Sequence, residues 1–246
     1  SRSWALRLWL ATPDWAFRVL GAGVFLAYLT TRLWDYREGF WQSVAWYRFR
    51  GGFTLYVPYR VLVDITYLLI AVAFIFRFKP RTRAARAREI VLPIIAAFWP
   101  FLPFLVETAW LAASGATVER YRGFMFRPRA GAPWQFLTGS LLVVLGIALE
   151  VWGYATLLRS LSIVAEARRL KVTGPYRLVR HPIYFGQFLA QSGIWLFYAN
   201  THAVWILFYA CFVTLQLWRA RVEEEVLERS FGEQYVSWKR KTFWFG

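Results

Sequence analysis

Cysteine is nearly absent. Cys211 stands alone, which excludes an intramolecular disulfide and any site built from several thiolates. It sits in an apolar run, where a thiol packs as a small hydrophobe. Histidine is scarce too: His181 and His202 are too few for a histidine-built metal cluster, and no metal is expected. No GxGxxG follows a strand-like run, which excludes a Rossmann cofactor site. Internal repeats, an alternating β pattern and a cleavable signal at the start are all missing. Ser1 is not an initiator Met, so the numbering is expected to begin at a trimmed start.

Charge of one sign is also short, with 14 Asp and Glu against 30 Lys and Arg. A net charge of +16 could point to nucleic acid. The placement of the cations excludes that reading. They lie in short loops between apolar runs, as in the cytoplasmic loops of membrane proteins. Anionic lipid headgroups are their expected neighbours.

What the chain has is apolar surface. Hydrophobic residues make up 58% and aromatic ones 20%, more than a soluble domain of this length needs for its core. They fall into runs near the ~20 residues that cross a bilayer: residues 15–34, 57–76, 90–113, 134–158, 183–198 and 203–218. The last two are short and flank a polar turn containing His202, which predicts a tight helical hairpin. Residues 35–56 mix arginines with Trp41, Trp46 and Tyr47, as at a headgroup boundary. Within the second run, Arg60 and Asp64 stand one helical turn apart and are expected to neutralise each other. Pro93, Pro100 and Pro103 should kink the third run. Glu107 and Glu150 are intramembrane acids, expected to make polar contacts between helices.

The N-terminus, residues 77–89, residues 159–182 and the tail from 219 together hold 20 Lys and Arg; the opposite loops, 35–56 and 114–133, hold 7. The positive-inside rule makes the first side, with both termini, cytoplasmic. The fold class is therefore all-α: a polytopic integral membrane protein of five to six transmembrane helices, in a bacterial inner membrane or an ER-type membrane. A C-terminal helical hairpin and a cytoplasmic C-terminal helix complete it. Residues 1–133 form N-terminal helices and an interfacial segment, and residues 134–246 form the core that carries chemistry.

Two segments on the cytoplasmic side stand out. The first, LKVTGPYRLVRHPIY, runs from Leu170 to Tyr184 and sets the backbone-bending Gly174, Pro175 and Pro182 among Tyr176, Arg177, Arg180 and His181. The second, RARVEEEVLERSFGEQY, begins at Arg219, where the sixth helix is expected to end, and runs to Tyr235. The hairpin returns the chain to the side it left, so the two segments can meet. Together they suit a zwitterion: Glu223 or Glu224 can hold an ammonium, aromatic rings can flank a purine, and freed amides can donate. Taken singly the same residues have plainer uses. Arg177 and Arg180 serve as positive-inside anchors, Glu223 to Glu225 as a solvated face paired with Arg219, Arg221 or Arg229, and His181 as a helix cap.

The pairing of GPYRLVRHPIY with EExxLxxxFGxxY resembles the isoprenylcysteine carboxyl methyltransferase family, a group similar to the phospholipid N-methyltransferases. The resemblance covers about residues 139–241. It implies an S-adenosylmethionine pocket, a transferable methyl group, and a lipophilic acceptor entering from the bilayer. Carried over residue by residue, Leu170, Tyr176, His181, Pro182 and Tyr184 fall on cofactor-contacting positions, with Arg180 beside them. The glutamate pair falls on Glu223 and Glu224, and the arginine that holds the acceptor on Arg219. Glu224 is the carboxylate expected to aid Arg219 in catalysis. The acceptor stays open between a prenylcysteine-type carboxylate, an isoprenoid acid, a lipid amine and a thiol. One departure is the tail, which has no proline after Pro182 where the family usually continues to one. Two other readings remain: an NADPH-dependent oxidoreductase like the membrane sterol reductases, and a membrane protein without enzymatic activity.

Overall fold

The computed structural model describes residues 4–39, 45–48, 54–57, 59–115, 133–197 and 203–243. The helices are α1 (Trp4–Ala11), α2 (Asp14–Gly39), α3 (Tyr59–Phe76), α4 (Ala87–Phe98), α5 (Leu102–Ser114), α6 (Pro133–Leu157), α7 (Pro182–Phe197), α8 (Ala203–Phe231) and α9 (Glu233–Lys239). Three stretches are long and apolar enough to cross a membrane: Asp14–Leu33, Pro133–Ser160 and Ala203–Phe231; Val61–Phe76 is apolar but shorter. Large side chains such as Val19, Leu33, Leu68, Leu141, Leu145 and Leu207 stand exposed on these helices. An apolar surface of that extent calls for lipid rather than water. The protein is an all-α membrane protein.

The expected six apolar segments each become helix, with three differences. Strands β1 (Ala45–Arg48) and β2 (Thr54–Val57) pair antiparallel, although the sequence reading found no β pattern. Aromatic and β-branched residues at Trp46, Tyr47, Thr54, Tyr56 and Val57, split by the Gly51-Gly52 pair, are the hairpin signal that the surrounding helices overshadowed. The rest of the interfacial stretch, residues 40–44 and 49–53, lies outside the described residues, as do His202 and the side chain of Glu107. Secondly, α8 does not end at Arg219. It runs on to Phe231, because Arg, Ala, Glu, Val and Leu are good helix formers and no Gly or Pro intervenes before Gly232. Thirdly, Asp64 finds a partner on another helix. Arg32 of α2 donates to it at 3.3 Å and Tyr36 also hydrogen-bonds it. The side chain of Arg60 lies outside the described residues.

The third apolar run breaks where its prolines predict. A 3-10 turn, Trp99–Phe101, separates α4 from α5, with Pro100 inside it, while Pro93 is accommodated within α4.

Helix α6 packs along α7 at backbone distance. A Cβ on Gly146 would stand 2.5 Å from both the Ala190 amide nitrogen and the Gly186 carbonyl oxygen. Small residues thus let two helices approach where lipid gives no hydrophobic drive, and dispersion does the holding. Phe25 of α2 and Phe74 of α3 stack with centroids 6.2 Å apart in the main core cluster. Leu92 of α4 packs with Val222 and Val226 of α8.

At one end of the bundle the arginine-rich loops are built into the fold. Arg77 is buried and donates to Asp14 at 2.7 Å. Arg83 caps carbonyls of Leu10 and Thr12, and Arg159 caps Phe76 at 2.9 Å. Thr82 pairs with Ala167 across a β-bridge, and the Ala165 amide donates to the Glu89 backbone carbonyl at 2.9 Å. Arginines at helix C-termini satisfy orphan carbonyls and oppose the helix dipole. The loops at 77–86 and 158–181 and the end of α8 therefore meet on one face.

Candidate active site

That face holds a cleft of about 850 Å³, part of it open to solvent. Its walls are the end of α6, the 158–181 loop, the start of α7, one face of α8, and α9.

The loop reaches its position through Gly174, whose φ of +58° is left-handed and whose absent Cβ would meet Thr156 Oγ1 at 2.7 Å. Only glycine fits that turn without strain. A 3-10 turn, Gly174–Arg177, follows and buries Tyr176. Burial, and then the nearby Glu223 carboxylate, push the Tyr176 phenol well above its ordinary pKa, so it stays a proton donor. Pro182 opens α7, where its missing N–H is no loss. The His181 carbonyl accepts the Phe185 amide at 3.0 Å.

On α8, Arg219, Glu223 and Leu227 recur every four residues and face the cleft together. Arg219 Nε donates to Glu223 Oε1 at 3.3 Å, its other arm donates to the Ile163 carbonyl at 3.0 Å, and its guanidinium lies 4.7 Å over the Tyr184 ring. Tyr184 donates to Glu223 and stacks on His181 with centroids 5.3 Å apart. The cleft thus holds a carboxylate with two donors and a pair of stacked rings.

Of the residues singled out from sequence, Leu170, Tyr176, Arg180, His181, Tyr184, Arg219 and Glu223 line the cleft. Pro182 is fully buried at the helix start. Glu224 is not among the lining residues. Its carboxylate takes Arg180 at 2.7 Å, Lys239 at 2.8 Å and His181 Nε2 at 3.4 Å. One glutamate faces the cleft and its neighbour ties the walls, because consecutive helical residues point about 100° apart.

Residues 134–234 match the family model for phospholipid methyltransferases. That segment is a phospholipid methyltransferase domain. None of the curated proteins matches the chain. The family includes the isoprenylcysteine carboxyl methyltransferases, and the match supports a membrane methyltransferase in general terms.

The methyltransferase domain begins with α6 and ends within the first turn of α9, so it contains nearly every wall of the cleft. Two elements come from beyond it. Trp238 lines the cleft and donates its indole N–H to the Tyr176 carbonyl at 2.9 Å. Phe243 pairs with the loop: its amide donates to the Leu178 carbonyl at 2.8 Å, and its carbonyl accepts the Arg180 amide at 3.0 Å. This strap ties the tail to the loop ahead of α7 without the proline the resemblance led one to expect.

Sequence reasoning missed Tyr154 and the seven residues of the 160–169 loop that also line the cleft. Tyr154 had a signal, standing one turn from Glu150 in an otherwise apolar run. Arg168 had none. It is buried and donates to Glu166 at 2.9 Å. Burial and the neighbouring Arg77 lower it to about 10, so it remains protonated at neutral pH.

Proposed function

We propose that the protein is an S-adenosylmethionine-dependent methyltransferase acting on a lipophilic acceptor that enters from the bilayer. The observation that carries the reading is the Glu223 carboxylate, held by Tyr184 and Arg219 beside stacked rings, inside a phospholipid methyltransferase domain. A carboxylate among donors and rings fits an amino acid bearing a nucleoside.

In this reading Glu223 receives the cofactor's ammonium. Arg180 and Lys171 face its carboxylate, and the His181–Tyr184 stack and Leu170 enclose the adenosine. The bound cofactor supplies a sulfonium-activated methyl group. The protein supplies position and a dry, charged frame. Glu224 is a positioning residue that fixes Arg180, His181 and Lys239. Arg219 sits at the inner end of the cleft, where the acceptor's reacting group would be oriented. Residues 134–246 form this core and residues 1–133 the helices beside it, with the cleft and both termini on the cytoplasmic side.

The test is calorimetric titration of the detergent-purified protein with S-adenosylhomocysteine, with NADPH as control. Micromolar binding of the former alone is expected. Binding of NADPH alone would move the protein to the reductases. No binding by a folded protein would leave a membrane scaffold.

A further inference from the structure

Two further cavities adjoin the loop that walls the cleft. The second cavity, of about 790 Å³ with its open mouth, shares Tyr154, Leu161, Ser162 and Arg219 with the cleft. The third, of about 700 Å³ with its open side, shares Ser162, Val164 and Glu166 with it. This third cavity is a groove built mainly by the N-terminal helices, which the family match leaves out. Leu20 and Val24 of α2 and Ile94 and Phe98 of α4 line it and stand exposed, while Phe74 of α3 lines it from the core. Exposed apolar side chains on membrane helices face lipid.

One end of the groove is charged. Phe17, in the first turn of α2, lines it there, with the Trp9 ring 4.4 Å away and the Arg83 guanidinium 5.8 Å over its own ring. From Phe17 to Val24 the helix rises about 10 Å, within one leaflet of a ~30 Å hydrocarbon core. The groove therefore starts at the arginine-rich end of the bundle and runs into one leaflet, as a single acyl chain does below its headgroup. The carboxylates of Asp14 and Glu166 are shared by three arginines: Arg77 and Arg18 lie 2.7 and 2.9 Å from Asp14, and Arg168 lies 2.9 Å from Glu166 and 3.7 Å from Asp14. Arg83 makes no ion pair among the described residues. One arm of its fork donates to the Leu10 and Thr12 carbonyls at 3.0 Å, and its Nε and other arm have no acceptor there. The Trp9 indole N–H has none either. Four guanidiniums stand against two carboxylates, so the mouth keeps a positive excess. A phosphodiester complements that excess better than a zwitterion does.

We infer that the groove between α2 and α4 holds one acyl chain of an anionic phospholipid, with the phosphate at Arg83 beside Trp9. This lipid is a resident of the fold and not a methyl acceptor. An anionic lipid such as phosphatidylglycerol carries no amine, thiol or carboxylate to methylate, and the 162–166 loop stands between the groove and the cleft. The site goes beyond the methyltransferase reading and stands or falls without it. It gives the N-terminal helices a role. They seat a lipid against the outer face of a loop whose inner face walls the cleft, and the Ile163 carbonyl of that loop accepts Arg219 at 3.0 Å.

The test is native mass spectrometry of the delipidated protein in detergent, given equal amounts of phosphatidylglycerol and phosphatidylcholine with the same chains. One phosphatidylglycerol per monomer should be retained, roughly fivefold or more over phosphatidylcholine, the scale of one arginine near a headgroup. Arg83→Gln should remove that preference. Val24→Trp, which fills the groove from an exposed position and leaves the mouth alone, should lose the bound lipid and keep the preference of whatever binding remains. Neither residue lines the cleft. Phosphatidylglycerol should raise the melting temperature of the native protein, and glycerophosphate, the headgroup without chains, should not. Equal retention of the two lipids overturns the inference, as does undiminished binding of phosphatidylglycerol in Val24→Trp, which holds even if Arg83→Gln fails to fold. Stabilisation by glycerophosphate alone would make the mouth a phosphate site without a lipid. A dimer that retains no lipid would mean that a second copy covers the groove, and either result overturns the inference.

Discussion

Arg180 and Glu224, 44 positions apart in the chain, meet at 2.7 Å behind the wall of the cleft. The contact joins the loop ahead of α7 to the far end of α8, and Lys239 of α9 adds a third element to the same carboxylate at 2.8 Å. Its neighbour Glu223 faces the other way, into the cleft. Adjacent glutamates thereby divide holding the walls from facing the ligand.

Their substitutions should separate. Glu223→Gln is expected to weaken S-adenosylhomocysteine binding by about 1.5–3 kcal/mol, the scale of a charge-assisted hydrogen bond, with little change in melting temperature. Glu224→Gln leaves Arg180 and Lys239 facing a neutral amide, so it should lower the melting temperature as well as the affinity. Calorimetry beside thermal unfolding in one detergent distinguishes the two. Equal profiles for both variants would mean that the division does not hold.

Arg219 should matter to turnover more than to cofactor affinity, because it stands on the wall shared by the two cavities. Arg219→Lys keeps a charge beside Glu223 and loses the fork that also reaches Ile163. It should cut kcat by roughly tenfold or more, ~1.4 kcal/mol of barrier, while S-adenosylhomocysteine affinity moves by less. A variant that loses affinity and keeps kcat would place Arg219 with the cofactor instead.

Packing gives a prediction independent of function. Gly146→Ala drives a methyl into the α7 backbone, 2.5 Å from Gly186 O and Ala190 N, and should cost about 1–3 kcal/mol. Gly23→Ala meets nothing within 4 Å and removes a flexible residue from α2, so it should be neutral or slightly stabilising. Comparing the two melting temperatures checks the helix contact. If both variants melt alike, α6 and α7 are not so close.

Acid should loosen the junction ahead of the third apolar run. Burial disfavours the Glu89 carboxylate, yet the Ala85 amide, the Arg229 guanidinium and the Arg86 amide outweigh it and hold Glu89 below its ordinary value of 4.5. A depressed folded pKa contributes stability that is present above the unfolded value and lost as pH falls through the folded one. The melting temperature should therefore be level from neutral pH to about 4.5 and drop below it. Glu89→Gln should melt lower at neutral pH and show a shallower drop on the acid side.

The apolar runs, the proline break and the two motif segments were legible because each leaves a local trace in composition or spacing. Leu170, Tyr176, His181 and Tyr184 could be carried to the cleft on motif alone. The inequality of Glu223 and Glu224 could not, because it depends on how α8 is rotated against α7 and α9. The continuation of α8 to Phe231 was obscured by the change from apolar to charged residues, which marks a membrane boundary and not a helix end. The contact of Arg32 with Asp64 was not legible because it joins two helices and depends on how α2 packs on α3. The second cavity left no trace at all: its residues come from α2, α3, α4, α6, α7 and α8, and only their packing assembles it.

The strap at Phe243 sets an order of events during biosynthesis. The backbone of Leu178 and Arg180 acquires its partner only when residue 243 has been made. At the ~5–20 residues per second of translation, the RHP segment waits several seconds for its mate. The nascent chain can be threaded into the bilayer through α8 while the cleft is still unlatched. Those two backbone bonds therefore close only after α9 has been made.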